Sequence, residues 1–217
     1  MPKEIEASFL NINIKNIRKK LRELGANKIH NLTFYKRYTF DLLNNQNGFI
    51  RIRQEYKKVT MTLKTFDKNS KYANETEIIL KSSLEEAKQF LINMGYIFKS
   101  YQESIREKWS LNECHEIAID IIPGLPTYIE LECSNENSIK KLANKLDLNF
   151  NDAKYGNYSD FYNIYYNIDK EIINKKLKKL TFNNINKEIK SFIKNNYDDL
   201  KIIQKKQLKL INKLNKI

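Results

Sequence analysis

Asp120-Ile121-Ile122-Pro123-Gly124-Leu125-Pro126-Thr127-Tyr128-Ile129-Glu130-Leu131-Glu132 decides the fold. Pro123-Gly124-Leu125-Pro126 reads as a turn between two strands, Glu116–Ile122 and Tyr128–Cys133. Successive strand side chains point to opposite faces, so Glu130 and Glu132 share one face and Ile129 and Leu131 the other. The same like-charged spacing recurs in Glu4/Glu6, Arg51/Arg53 and Glu75/Glu77, each opposed by residues such as Ile5, Ile52 and Ile78. Lys64 sits in a similar alternation, flanked by Leu63 and Thr65, with Thr62 on its own face.

Outward from there, period-2 runs predict strands at Glu4–Phe9, Leu32–Leu42, Phe49–Gln54, Val59–Phe66, Glu75–Leu80 and Tyr96–Leu111, which makes about eight in all. The last strand-like material lies near Tyr158–Tyr166. Three amphipathic helices are predicted. One carries Ile14, Ile17, Leu21 and Leu24, one follows a Ser83/Glu86 capping box, and one carries Ile139, Leu142, Ala143 and Leu146. A Glu-x-Glu strand followed by a helix occurs three times, which fits a duplicated half-barrel. A single amphipathic strand is by default a sheet with a solvated charged face. Eight strands suffice to close a barrel, and three helices can cover its apolar outside. The charged pairs then line the interior, where stacked like charges call for a counter-ion or ligand.

The chain has 217 residues with 39 Lys and Arg against 26 Asp and Glu, a net charge of +13. Arginine is scarce, six against 33 lysines, yet Arg37, Arg51, Arg53 and Arg106 all fall in strands, where a planar fork suits phosphate. Arg18 and Arg22 lie on a helix and read as solvated. Residues 169–217 carry +9 of the +13. The charged start MPKEIEASFL is no signal peptide, and no apolar run is long enough to span a bilayer, so a cytoplasmic protein with no membrane partner is expected. Cys114 and Cys133 are too few and too far apart for a zinc site, which points to a reducing cytoplasm with both thiols free. With only His30 and His115 present, a metal would be held by carboxylates, which suits Mg²⁺ or Mn²⁺.

In order along the chain, Glu4-Ile5-Glu6, Phe49-Ile50-Arg51-Ile52-Arg53, Thr62-Leu63-Lys64, Glu75-Thr76-Glu77, Arg106 before Trp109, and the segment Asp120 to Glu132 resemble the CYTH family, the triphosphate tunnel metalloenzymes. The resemblance covers residue 4 to about residue 168. It implies an α+β fold: an eight-stranded antiparallel β-barrel, the triphosphate tunnel, with helices outside. Residues 1–168 form this domain, and 169–217 follow as a basic helical extension. By resemblance, Glu4, Glu6, Glu130 and Glu132 hold Mg²⁺ or Mn²⁺, while Arg51, Arg53, Lys64 and Arg106 grip the triphosphate. Tyr38 and Lys64 orient or activate water, and Glu75, Glu77, Asp120 and Tyr158 complete the tunnel; Arg37 joins it as a strand arginine. The sequence departs from the pattern at Ser8, Ala73 and Ser104, where cations are expected.

The leading expectation is a metal-dependent hydrolase that cleaves a phosphoanhydride bond of inorganic tripolyphosphate or an organic triphosphate. The alternatives are a class IV-type adenylyl cyclase and a non-catalytic nucleotide or polyphosphate binder. The basic tail is expected to pack on the barrel or to form a homodimer, with RNA binding as the sharper alternative.

Overall fold

The computed structural model describes residues 5–67 and 73–215. Glu4 lies outside the described residues. Eight antiparallel strands form one curled sheet: β1 (Glu6–Phe9), β2 (Asn27–Asp41), β3 (Gly48–Gln54), β4 (Val59–Thr65), β5 (Asn74–Leu80), β6 (Ile97–Leu111), β7 (Cys114–Ile121) and β8 (Tyr128–Glu132). Their order is β1-β8-β7-β6-β2-β3-β4-β5. The two 15-residue strands, β2 and β6, meet at the centre, with β2–β5 on one side and β6–β8 on the other, where β1 crosses over to pair with β8. This matches the strand–helix repeat, since β1 leads through α1 (Ile14–Glu23) to β2 and β5 leads through α2 (Leu84–Asn93) to β6. Among the described residues no ladder joins β1 to β5. An ion pair of 3.9 Å from Lys64 on β4 to Glu6 on β1 nevertheless brings the two ends of the sheet together.

The apolar face is outside. Ala7, Ile117, Ile119, Ile129 and Leu131 pack with Ile17 and Leu21 of α1 and with Ile139, Leu142 and Ala143 of α3 (Glu136–Lys145). Phe40, Ile50 and Ile52 pack with Leu84, Ala87 and Leu91 of α2. The Ser83/Glu86 capping box forms as expected, with Ser83 accepting from Glu86 N and Glu86 from Ser83 N. Arg18 is not solvated. It forms a two-point pair with buried Glu107, at 2.9 and 2.5 Å, and so pins α1 to β6.

Two expectations are corrected. Tyr158–Tyr166 is a helix, α4, not a strand. Its aromatics favour strands locally, but an Asn157/Asp160 capping box starts a helix and the buried Phe161, Tyr162 and Tyr166 share a helical face. Cys114 and Cys133 are not free thiols but a disulfide. They are 19 residues apart, but Cys114 opens β7 and Cys133 follows β8, its antiparallel neighbour. The cytoplasmic expectation loses the support it drew from free thiols. No helix among the described residues is long and apolar enough to cross a membrane.

Residues 169–215 share a core with the sheet. β9 (Lys179–Leu180) pairs in parallel with Tyr101 and Gln102 of β6, beyond the stretch of β6 that β7 covers. Leu180, Ile185 of α5 (Ile185–Ile189) and Leu200 of α6 (Tyr197–Leu214) are buried with Ile122, Leu125 and Tyr128. Buried Gln207 on α6 donates to Ile122 O and Leu125 O and accepts from Gly124 N, holding the Pro123–Pro126 turn.

Candidate functional site

The curled sheet encloses a cavity of about 1020 Å³. Register decides which side chains face it. Arg37 and Thr39 of β2 pair with Arg53 and Arg51 of β3, and these pair with Thr60 and Thr62 of β4. The next row pairs Phe49 with Lys64 and Lys64 with Glu75. On the other half, Glu6 and Glu116 both pair with Glu132, Ser8 pairs with Glu130, and Asp120 pairs with Arg106. Gly48 lets β3 approach β4, since a Cβ there would stand 2.2 Å from Lys64 O.

Most of these charges are paired. Arg51 Nη2 lies 3.1 Å from Glu75 and 3.6 Å from Glu77. Lys64 lies 2.9 Å from Glu75. Arg106 is fully engaged: it holds Asp120 through two bonds of 2.8 and 2.6 Å, Glu116 at 2.5 Å and Glu130 at 3.0 Å. Its geometry therefore organises three carboxylates rather than reaching for phosphate. Glu132 meets His115 at 2.6 Å.

Two cations stand out. Arg37 donates to Gln102 Oε1 at 2.7 Å and lies over the Tyr158 ring at 5.0 Å. Among the described residues no carboxylate lies within ion-pair range of it. Burial lowers its pKa, and Arg53 and Arg106 nearby lower it further. The Arg51 Nε is buried with no hydrogen-bond acceptor among the described residues. Burial and the Arg53 charge bring the Arg51 pKa down to about 10. Buried cations in this state are stabilised by an incoming anion.

The carboxylate side shows the opposite tension. Burial raises the pKa of Glu130, and Asp120 and Glu116 add to it against Arg106. Burial would raise Glu116 too, but Arg106 and Lys108 pull it down to about 2 from an ordinary 4.5. Its folded pKa is depressed, so its stabilisation is complete above pH 4.5 and is lost as pH falls towards 2. The expected loss over that window is on the order of 3 kcal/mol. Melting curves from pH 6 to 2 should show this slope, and Glu116→Gln should remove it. An equal slope in both proteins would refute the pairing.

Among the described residues no three His, Cys, Asp or Glu side chains stand gathered as a metal cage. Glu6 and Glu132 are cross-strand neighbours, with Glu130 two residues from Glu132 on the same face. The set offers only hard oxygen donors. Mg²⁺ keeps several waters and is usually held by one or two carboxylates plus substrate phosphates, so this strip fits it without a preformed cage.

Tyr38 does not join the site. Adjacent to Arg37 on β2, it faces outward, where its hydroxyl donates to Glu85 and its ring packs on Phe98 and Tyr101. Thr39 takes the inward position and bonds Ser100. Tyr158 does line the cavity, but from the start of α4. Ser8, Ala73 and Ser104 are all buried and uncharged. Lys58 and Lys108 line the cavity instead, paired with Glu55 and Glu116. Sequence reasoning missed Glu55, Glu116 and Lys108, although Arg51-x-Arg53-x-Glu55, Arg106-x-Lys108 and Glu116-x-Ala118-x-Asp120 carry the signal by period-2 spacing.

No family model and no curated protein matches the chain. Solved structures do. The PH1012 protein of Pyrococcus horikoshii aligns with a TM-score of 0.60 at 22% identity, over 73% of this chain and 98% of that one. A conserved hypothetical protein of Pyrococcus furiosus aligns with a TM-score of 0.60 at 18% identity, over 73% and 99%. A protein provisionally described as an adenylate cyclase, from Vibrio parahaemolyticus, aligns with a TM-score of 0.60 at 17% identity, over 73% and 97%. The resemblance to the CYTH family, the triphosphate tunnel metalloenzymes, therefore holds at the level of the fold: eight antiparallel strands curled around a charged interior, with the helices outside.

Proposed function

We propose that the channel binds the phosphate chain of a triphosphate and, with Mg²⁺ or Mn²⁺, hydrolyses one P–O–P linkage. The observation that carries this reading is the cationic floor: among the described residues Arg37 has no carboxylate within ion-pair range, and the buried Nε of Arg51 beside it has no acceptor. Arg37, Arg51 and Arg53 receive phosphate oxygens, and Glu6, Glu130 and Glu132 hold the cation, with Glu4 as a further candidate from the sequence. The bound cation neutralises charge on the phosphate oxygens. Lys64, between Glu6 and Glu75, is placed to stabilise charge on the reacting phosphate. Arg106 orders the carboxylates. Catalysis is then positioning plus charge stabilisation. Tyr38 has no part in it, so orienting the attacking water does not depend on a phenol at that position.

The cyclase reading shares every one of these groups, and one structural neighbour is provisionally described as a cyclase. Incubation with tripolyphosphate and, separately, ATP, each with Mg²⁺ or Mn²⁺, separates them. Hydrolysis releases orthophosphate and consumes tripolyphosphate. Cyclic AMP and pyrophosphate in equal amounts would replace this reading with the cyclase, and binding without product would replace it with a sensor.

A further inference from the structure

Three rings that the proposed function leaves unused form a ladder that ends at Arg53, a cavity-lining arginine. Tyr56, half-exposed between β3 and β4, stacks on His30 with centroids 5.3 Å apart and planes 28° apart. His30 lies 5.8 Å from Tyr35, and the Tyr35 ring lies 5.6 Å from the Arg53 guanidinium. His30 and Tyr35 are 7% and 3% exposed. Tyr35 shares the inner face of β2 with Arg37, and its cross-strand partner is the small Ser104, which leaves room for the ring.

The hydrogen bonds run in one direction. His30 Nδ1 lies 2.8 Å from Asn31 O, and a carbonyl only accepts, so Nδ1 carries the proton. His30 Nε2 is then the acceptor for the Tyr35 hydroxyl at 2.8 Å. Burial raises the Tyr35 pKa, although Arg106 and Arg53 pull against it, and so keeps the phenol a donor. On its edge, Arg53 gives Nε and Nη2 to Glu55 at 2.9 and 2.6 Å. Glu55 therefore fixes the edge of the guanidinium and Tyr35 its face. A planar fork recognises phosphate only when its plane is set.

We propose that Tyr35, locked by His30, is a positioning residue that sets the plane of Arg53 for a phosphate group. The proposal rests on the function proposed above. The test is a double-mutant cycle on tripolyphosphate affinity, measured by calorimetry with the full-length protein. Tyr35→Leu should raise Kd roughly tenfold, between the values for an exposed and a fully desolvated cation–π contact. In an Arg53→Ala background the same change should do nothing. Tyr35→Phe and His30→Phe both break the Tyr35–His30 hydrogen bond, and His30→Phe also loses the bond to Asn31 O. Each should weaken binding several-fold, and the two together no more than His30→Phe alone. This pair carries the test if Tyr35→Leu does not fold. Equal losses with and without Arg53, or additive losses in the Phe pair, would mean that Tyr35 merely supports the fold. Tripolyphosphate that does not bind the unaltered protein would overturn the proposed function, and this inference with it.

Discussion

Replacing Arg37 with Met should leave the protein folded, yet cut kcat/KM for its triphosphate roughly 10²–10³-fold, the usual cost of one preorganised donor at developing charge. The two effects part because Arg37 is desolvated and, among the described residues, has no carboxylate partner; it donates to Gln102 beside the Tyr158 ring. Removing it strands no buried anion. Arg51→Ala would be a poorer test, since it leaves Glu75 and Glu77 short of a partner and so perturbs the fold as well. Arg37→Lys should recover only part of the activity, because an ammonium lacks the planar fork. Steady-state kinetics and a thermal melt on each variant suffice. Unchanged turnover in Arg37→Met would remove this residue from the phosphate grip.

Deleting residues 169–217 should prevent folding rather than trim an appendage. The segment buries Ile173, Leu177, Leu180, Phe182, Ile185, Ile189 and Leu200. Each such side chain contributes about 1.5–3 kcal/mol when fully buried. Together they approach or exceed the roughly 5–15 kcal/mol by which a domain is stable. The cut would also expose Ile122, Leu125 and Tyr128 and release the turn that Gln207 holds. Far-ultraviolet circular dichroism and limited proteolysis of residues 1–168 test this. A cooperative melt with a native β-sheet spectrum would show that the tail is separable.

The inner face was largely legible because charge at period 2 marks it directly. Glu130/Glu132, Arg51/Arg53 and Glu75/Glu77 needed only the alternation of a strand, and the apolar stripes of α1, α2 and α3 indicated which side they would cover. Parity also carried a warning about Tyr38. It adjoins Arg37, and two consecutive residues of a regular strand cannot both face inward. Contacts between distant segments were not legible. The Cys114–Cys133 bond depends on strand pairing, the Arg18–Glu107 pair on how α1 lies across β6, and the Arg106 cluster on β7 standing between β6 and β8. The α4 helix was missed because aromatic residues favour strands locally, whereas its cap and its buried side decide otherwise. That the tail packs on the barrel was among the expectations, but where it packs was not legible, because its lysines dominate the composition while the residues that bind it to the sheet are a few scattered apolar side chains and one glutamine.

The central claim is that the interior of the sheet holds a phosphate chain between an arginine floor and a carboxylate strip. Titration calorimetry with tripolyphosphate, in the presence and absence of Mg²⁺, tests it most directly. The account predicts one saturable site per chain, tightened by Mg²⁺, weakened at least tenfold in Arg37→Met, and stripped of its Mg²⁺ dependence in Glu132→Gln with Glu6→Gln. Affinity untouched by all of these substitutions, or no saturable binding by the unaltered protein, would contradict it.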